Sequence, residues 1–274
     1  MSSLLFETRL AVPTILGYSM QGQNQQQAYD RGTTIFSPDG RLYQVEYARE
    51  AIKRGTTSVG VRTVGGVVLV ADKPARSPLI ERSSVEKLHK IDDHVGIASA
   101  GHVADARTLV DFAREQAQVN QLRYGETIDI EPLTKSVTDH IQEFTQSGGA
   151  RPFGVALLIG GVEDGTARLY ETDPSGTPYE WKATAIGGES DDVRDYLEEH
   201  YHEDADLMDS IDLALRALAS IHDGVLDPEQ VGVATVDTES ERFNELAVSE
   251  IETHLAEFDL SDDDGPADPG EEGE

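Results

Sequence analysis

The sequence predicts an α+β chain built as a four-layer αββα sandwich, in which two mainly antiparallel sheets pack face to face and helices cover their outer sides. Three observations lead there. Strand-like runs arrive in two series, each followed by a pair of helices, an order unlike the regular strand-helix alternation of a doubly wound parallel sheet. The runs are bounded by Gly, Pro and Asp turn signals. With 274 residues, 38% of them hydrophobic, the chain can bury one sizeable core.

The elements follow in order. Residues 20–31, MQGQNQQQAYDR, hold too little apolar surface to pack and read as a flexible polar arm. FSPDG at 36–40 is a turn by its Pro-Asp-Gly chemistry. It feeds a helix in which Leu42, Val45 and Ile52 share a stripe, with Tyr43, Tyr47 and Ala51 beside it, and which Gly55 stops. Val59 and Val61, the Gly65-Gly66 turn and VVLVADK make a hairpin. KLHKI and HVGIASAG, joined at Asp92-Asp93, make a second strand pair.

Two helices come next. Leu109, Phe112, Ala113 and Ala117 recur at helical spacing in the first; Pro132 opens the second, whose apolar face is Leu133, Val137, Ile141 and Phe144. A further strand series comprises VALLIGGV, ARLYETD and, after a Pro-Ser-Gly turn, PYEWKATAIGG as one strand. Helices near 190–201 and 207–221, strands VGVATVDT and RFNELA, and a last helix ending at Phe258 complete the body, which spans 32–258. Residues 259–274 read as a disordered acidic tail.

Composition narrows the function. Cysteine is absent, which excludes disulfides, thiolate metal sites and a cysteine nucleophile, and fits a reducing cytoplasm. There are 52 acidic against 22 basic residues, a net charge of -30; eight of the carboxylates sit in the tail, so most of the excess covers the folded body. Such a surface suits a salty cytoplasm, where the Debye length falls to about 3 Å near 1 M salt. It lacks the basic stripe that phosphate binding needs, so nucleic acid is not an expected partner. No apolar run approaches the roughly 18 residues that would suggest a membrane span. His200 and His202 have no third spaced ligand, and no metal or cofactor is expected.

The chemistry-bearing stretch is KRGTTSVGVRTVGGVVLVADK, residues 53–73. Cut after Gly55, it would expose Thr56 as an N-terminal nucleophile whose freed amine serves as base, with Asp72 and Lys87 following in suitable order. Spacing alone leaves that reading level with one in which Thr56, Thr57 and Ser58 are plain strand residues. The upstream segment decides: cutting there would discard an amphipathic helix that needs a core to pack on. Thr56 is therefore expected to stay within the chain, self-processing at Gly55-Thr56 being the alternative.

AYDRGTTIFSPDGRLYQVEYAREAIKRGTTSVGV, ADKPARSPLIERSSVEKLHKIDDHVGIASAGHVADARTLVDFAREQA and FTQSGGARPFGVALLIGG closely resemble archaeal-type 20S proteasome alpha subunits, over about residues 28–258. The resemblance implies the N-terminal nucleophile hydrolase type of αββα sandwich without catalysis, which would reside in beta subunits. It implies seven-membered outer rings stacked on beta rings, with N-terminal arms gating substrate entry. The gating cluster would be Tyr29, Asp30, Arg31, Pro38, Tyr47 and Arg49, with Arg49 a cationic partner for a nearby aspartate. A pocket for the C-terminal tails of an activating AAA+ ATPase would hold Gly55, Lys87 and His102, Lys87 pairing with the terminal carboxylate; His102 departs from the apolar residue common there. Residues 1–19 have no counterpart in the family and are expected to come from a start codon misassigned upstream of Met20. From the charge we predict that rings formed in molar salt dissociate as salt is lowered and neighbouring subunits repel, seen as loss of the ring-sized peak on a sizing column.

Overall fold

The computed structural model describes residues 36–261, except 75, 76, 78, 148, 223 and 224. The expected arm at 20–31, the segment 1–19 and the tail beyond Ser261 lie outside the described residues. The first element grows from the Ser37–Gly40 turn, in which the Gly40 amide donates to the Ser37 carbonyl at 2.8 Å and the Ser37 hydroxyl accepts from the Arg41 amide at 3.1 Å. Helix α1, Tyr43–Lys53, buries Val45, Ala48 and Ile52. The i, i+3, i+7 stripe is the expected one except that Ala48 belongs to it, while Tyr47 and Ala51 face outward.

Strands β1 (Ser58–Thr63) and β2 (Gly66–Asp72) form the first hairpin, and β3 (Leu88–Asp92) and β4 (Val95–Gly101) the second. Helices α2 (Val103–Tyr124) and α3 (Ile130–Gln146) follow. Gly125, in the left-handed region at φ 77°, ends α2. The Ile130 amide at the start of α3 donates to the Glu163 carboxylate at 2.7 Å, so a strand end caps the helix and meets its dipole. Strands β5 (Val155–Glu163) and β6 (Thr166–Thr172) turn at Asp164-Gly165, both left-handed, as a two-residue hairpin with right-handed strand twist requires.

Where one strand was expected from PYEWKATAIGG there are two. β7 (Pro178–Glu180) pairs with β6, and β8 (Ala183–Ile186) pairs with β1 in the other sheet. The chain changes sheets at Trp181-Lys182, where Arg62 pins it: its amide donates to the Lys182 carbonyl at 2.8 Å and its Nε to the Trp181 carbonyl at 3.1 Å. Helices α4 (Ser190–His200) and α5 (Leu207–Ala219), strands β9 (Val231–Asp237) and β10 (Phe243–Glu245), and helix α6 (Val248–Ser261) complete the described chain. Helix α6 runs three residues past the expected end at Phe258.

The two antiparallel sheets have the orders β10-β9-β2-β1-β8 and β3-β4-β5-β6-β7. Alternate residues of each strand serve two cores. Leu69, Ala98, Leu158, Leu169 and Val236 meet between the sheets. Val59, Val68 and Val233 pack under Leu197, Leu215 and Ile251 of α4, α5 and α6, and Ile97, Leu157 and Ile159 under Leu109, Leu133 and Ile141 of α2 and α3. The result is the expected αββα sandwich. Both faces of the central strands are covered, which is why β2 and β5 read as near-continuous apolar runs. Leu158→Ala, at a fully buried site between the sheets, is predicted to cost about 2–5 kcal/mol of stability, whereas Leu122→Ala on the exposed end of α2 stays within about 0.5 kcal/mol, as read from denaturation midpoints in molar salt.

Candidate functional site

The site begins where α1 hands the chain to β1. The Gly55 amide donates to the Ile52 carbonyl at 2.8 Å, closing the last helical turn, and the Gly55 carbonyl accepts from the Gly188 amide at 2.9 Å. A side chain at Gly55 would put its Cβ 2.6 Å from the Gly101 amide nitrogen, so only glycine fits. The Thr56 hydroxyl donates to the Asp72 carbonyl at 2.7 Å, and the Thr57 hydroxyl to the Gly188 carbonyl.

Lys87 approaches the same point from the segment before β3. Its side chain is buried. Nζ donates to the Thr56 carbonyl (2.9 Å), the Thr56 hydroxyl (2.8 Å), the Thr57 carbonyl (3.1 Å) and the Asp72 carbonyl (3.1 Å). Burial pushes Lys87 down to about 7; the Asp72 carboxylate opposes this and the Lys73 charge adds to it. Asp72 is itself raised by burial, against the pull of His222, whose Nε2 lies 3.8 Å away, and of Lys87. Thr56, Asp72 and Lys87, read in order from the sequence, thus come together in space.

Beside them opens a cavity of about 290 Å³ lined by Gly55, Thr56, Lys73, Val85, Lys87 and Gly101, among others. Gly55 and Lys87 of the expected pocket line it. His102 does not: it lies between the lining residues Gly101 and Val103, with its amide donating to the Gly154 carbonyl at 2.8 Å and its ring 3.5 Å from Asp105. Asp105 was not singled out from sequence. It accepts two bonds from Arg151, at 2.6 and 2.7 Å, and one from the Gly154 amide at 2.8 Å. Burial works to raise its pKa, but these donors prevail and hold the carboxyl below its ordinary range. The cluster joins the start of α2 to the loop leading into β5.

Of the expected gating residues, Tyr29, Asp30 and Arg31 lie outside the described residues. Pro38 is exposed in the turn before α1, and Tyr47 is half-exposed on its outer face, stacked on Tyr43 at 6.5 Å. Arg49 finds its aspartate 124 residues away: Nε and Nη2 donate to Asp173 at 2.8 and 2.9 Å. Burial works to raise Asp173, but the bonds from Arg49 and Ser175 win and keep it low. This bidentate pair fastens α1 to the turn between β6 and β7.

Comparison with known proteins places these features. The family model for the N-terminal signature of proteasome A-type subunits matches residues 29–51, and the general proteasome-subunit model matches 52–236. The chain belongs to the proteasome alpha-subunit family. The alpha 1 proteasome subunit of Haloarcula marismortui is 70% identical over 255 residues, covering 93% of this chain and 98% of that relative. The alpha proteasome subunit of Natronomonas pharaonis is 67% identical over 92% of this chain and the full relative, and the alpha 1 proteasome subunit of Haloferax volcanii is 70% identical over 88% and 96%.

A proteasome alpha subunit is part of the core particle, assembles with other proteasome subunits, and is noncatalytic. The geometry gives that a chemical sense. An N-terminal threonine hydrolase needs a free amine next to its hydroxyl; freeing the Thr56 amine here would sever α1, a helix packed into the core through Ile52 and pinned through Arg49 to Asp173. Lys87 ties strand carbonyls together at the head of β1 and the end of β2. Among the described residues, no helix is long and apolar enough to cross a membrane.

The sign of the Lys87 linkage is testable. The folded-state pKa near 7 lies below the unfolded value of about 10.4, so between those limits the unfolded chain binds more protons and stability rises with pH. Denaturation midpoints followed from about pH 6 to about pH 10 are predicted to climb in the wild type relative to Lys87→Met, which lacks this slope and is less stable throughout because four acceptors lose their donor. Parallel pH profiles would refute it.

Proposed function

We propose that this alpha subunit forms the outer seven-membered rings of a 20S core particle in a salt-rich cytoplasm, gates substrate entry with its N-terminal arms, and docks the tails of an activating AAA+ ATPase. Catalysis belongs to the beta subunits. The observation that carries this reading is the packing of α1: Ile52 enters the core between the sheets, Arg49 pairs with Asp173, and Gly55 is pressed against Gly101, so the helix that roots the upstream arm is part of the folded body.

In this reading Tyr29, Asp30, Arg31, Pro38 and Tyr47 set the position of the arm at 20–31, and Arg49 holds the helix from which the arm departs. The latch to Asp173 supports it, because an arm works as a gate only if its root is rigid. The cavity next to Gly55, with Lys87 in its wall and His102 at its edge, receives the activator tail. A lysine suits a single terminal carboxylate, since a compact ammonium meets it end-on.

Deleting residues 1–31 is predicted to raise degradation of an unfolded protein by the assembled core particle severalfold without activator, while small-peptide hydrolysis changes little. Unchanged degradation would remove the arm from the gate. Negative-stain images of the chain purified in molar salt read ring formation separately.

A further inference from the structure

The helix layer over β9 holds another cavity, which gating and tail docking leave unused. It measures about 320 Å³ and opens between α5, α6 and the hairpin of β9 and β10, none of which lines the cavity beside Gly55. Leu207, Ile211 and Leu246 wall it, and Met208, 58% exposed, stands at its mouth. Its base is polar. The buried His254 of α6 donates through Nδ1 to the Asp212 carboxylate of α5 at 2.6 Å; a carboxylate only accepts, so the neutral ring keeps a lone pair on Nε2. Thr235 lies two residues beyond Val233 on the face of β9 that meets the helices, and it too is buried. Neither His254 Nε2 nor the Thr235 hydroxyl has a hydrogen-bond partner among the described residues.

We propose that this cavity takes a tyrosine side chain from a basic segment of a partner protein, the phenol O–H donating to His254 Nε2 and accepting from Thr235. Polar groups withdrawn to the foot of an apolar pocket are costly to leave unmade, and one hydroxyl answers both. A leucine or phenylalanine would leave them unpaired; an indole N–H gives a proton but cannot take one. An apolar cavity of about 150 Å³ already holds benzene, so a phenol ring fits this one. Charge complementarity names the surroundings. Among the lining residues none is lysine or arginine, and Glu250 is exposed at the rim, its Oε2 accepting from the Ala247 amide at 2.7 Å. The whole chain carries 52 acidic against 22 basic residues. Basic side chains flanking the tyrosine meet that rim at contact distance, where salt screens least. Met208 and the exposed Val248 offer apolar surface around the anchor. The site stands whether or not the tail-docking reading does.

The test uses core particles containing the full-length chain, in molar salt at about pH 8, where ordinary imidazoles are neutral. The probes are p-cresol, which is the tyrosine side chain alone, and p-methylanisole, which keeps the shape and lacks the O–H; saturation-transfer NMR reads the affinity of each. Wild-type particles are expected to bind p-cresol about fivefold tighter, as one net hydrogen bond implies. Met208→Glu at the mouth weakens both severalfold. His254→Phe removes the advantage of p-cresol and leaves p-methylanisole unchanged; should that variant fail to assemble, Thr235→Val is expected to lower p-cresol alone, by about threefold. Acetyl-Lys-Tyr-Lys-amide binds about threefold tighter than acetyl-Glu-Tyr-Glu-amide. A wild type that binds the two probes equally, or a Met208→Glu variant that binds them as the wild type does, overturns the site. A p-cresol preference that survives in His254→Phe, or in Thr235→Val where the first does not assemble, overturns the hydrogen bonds, and equal binding of the tripeptides overturns the basic partner.

Discussion

The passage of the chain from α1 into β1 is the constraint on which the rest of the molecule depends. Gly55 is pressed against Gly101 with no space for a side chain, its carbonyl is held by Gly188, and Lys87 gathers the carbonyls of Thr56, Thr57 and Asp72 around one ammonium. The residues that would activate a freed threonine are in place, yet their donors are turned to holding the backbone. Just before this passage, Ile52 enters the core between the sheets and Arg49 pairs with Asp173.

Electrostatics divide the same way between what salt removes and what it leaves. Lys90, Lys135 and Lys182 make exposed pairs with Asp93, Glu131 and Glu203, which contribute little even in dilute buffer and less when the Debye length shrinks to a few ångströms. Arg49–Asp173 and Arg151–Asp105 differ in that each is bidentate with its carboxylate largely withdrawn from solvent. Lys87 is sealed off further still. The contacts that fix α1, the start of α2 and the head of β1 are thus the ones that concentrated salt affects least, while the excess surface charge is left to be screened.

The elements were legible because local chemistry spelled them out: Pro-Asp-Gly before α1, Gly65-Gly66 between β1 and β2, and the apolar stripe of α3 all stand in the sequence as they stand in space. The break between β7 and β8 was not legible, since Trp181-Lys182 carries no turn residue even though the chain bends at Lys182 as it exchanges one sheet for the other. At the site, order along the chain brought Thr56, Asp72 and Lys87 to attention, and they do meet. Long-range pairing stayed hidden. That Arg49 wanted an aspartate could be inferred, but not that it was Asp173, and an acidic residue in the first turn of α2 gave no hint that Asp105 would accept three bonds from the loop before β5. Nor did the sequence reveal that the amine of Lys87 is already committed to four neighbours, a fact set by three separate strand ends.

Helix α1 is only 11 residues long, about 16 Å from end to end. Gly55, at its C-terminal end, is part of the cavity wall, and the turn holding Pro38 lies at its N-terminal end. The proposed docking pocket and the root of the proposed gate therefore sit at opposite ends of one short rod. In the proposed reading the two are linked by this one helix, without a path through the sandwich. Coupling of that kind needs a rigid body beneath a pinned lever, and the two sheets with their closed cores supply the first as the junction at Gly55 supplies the second.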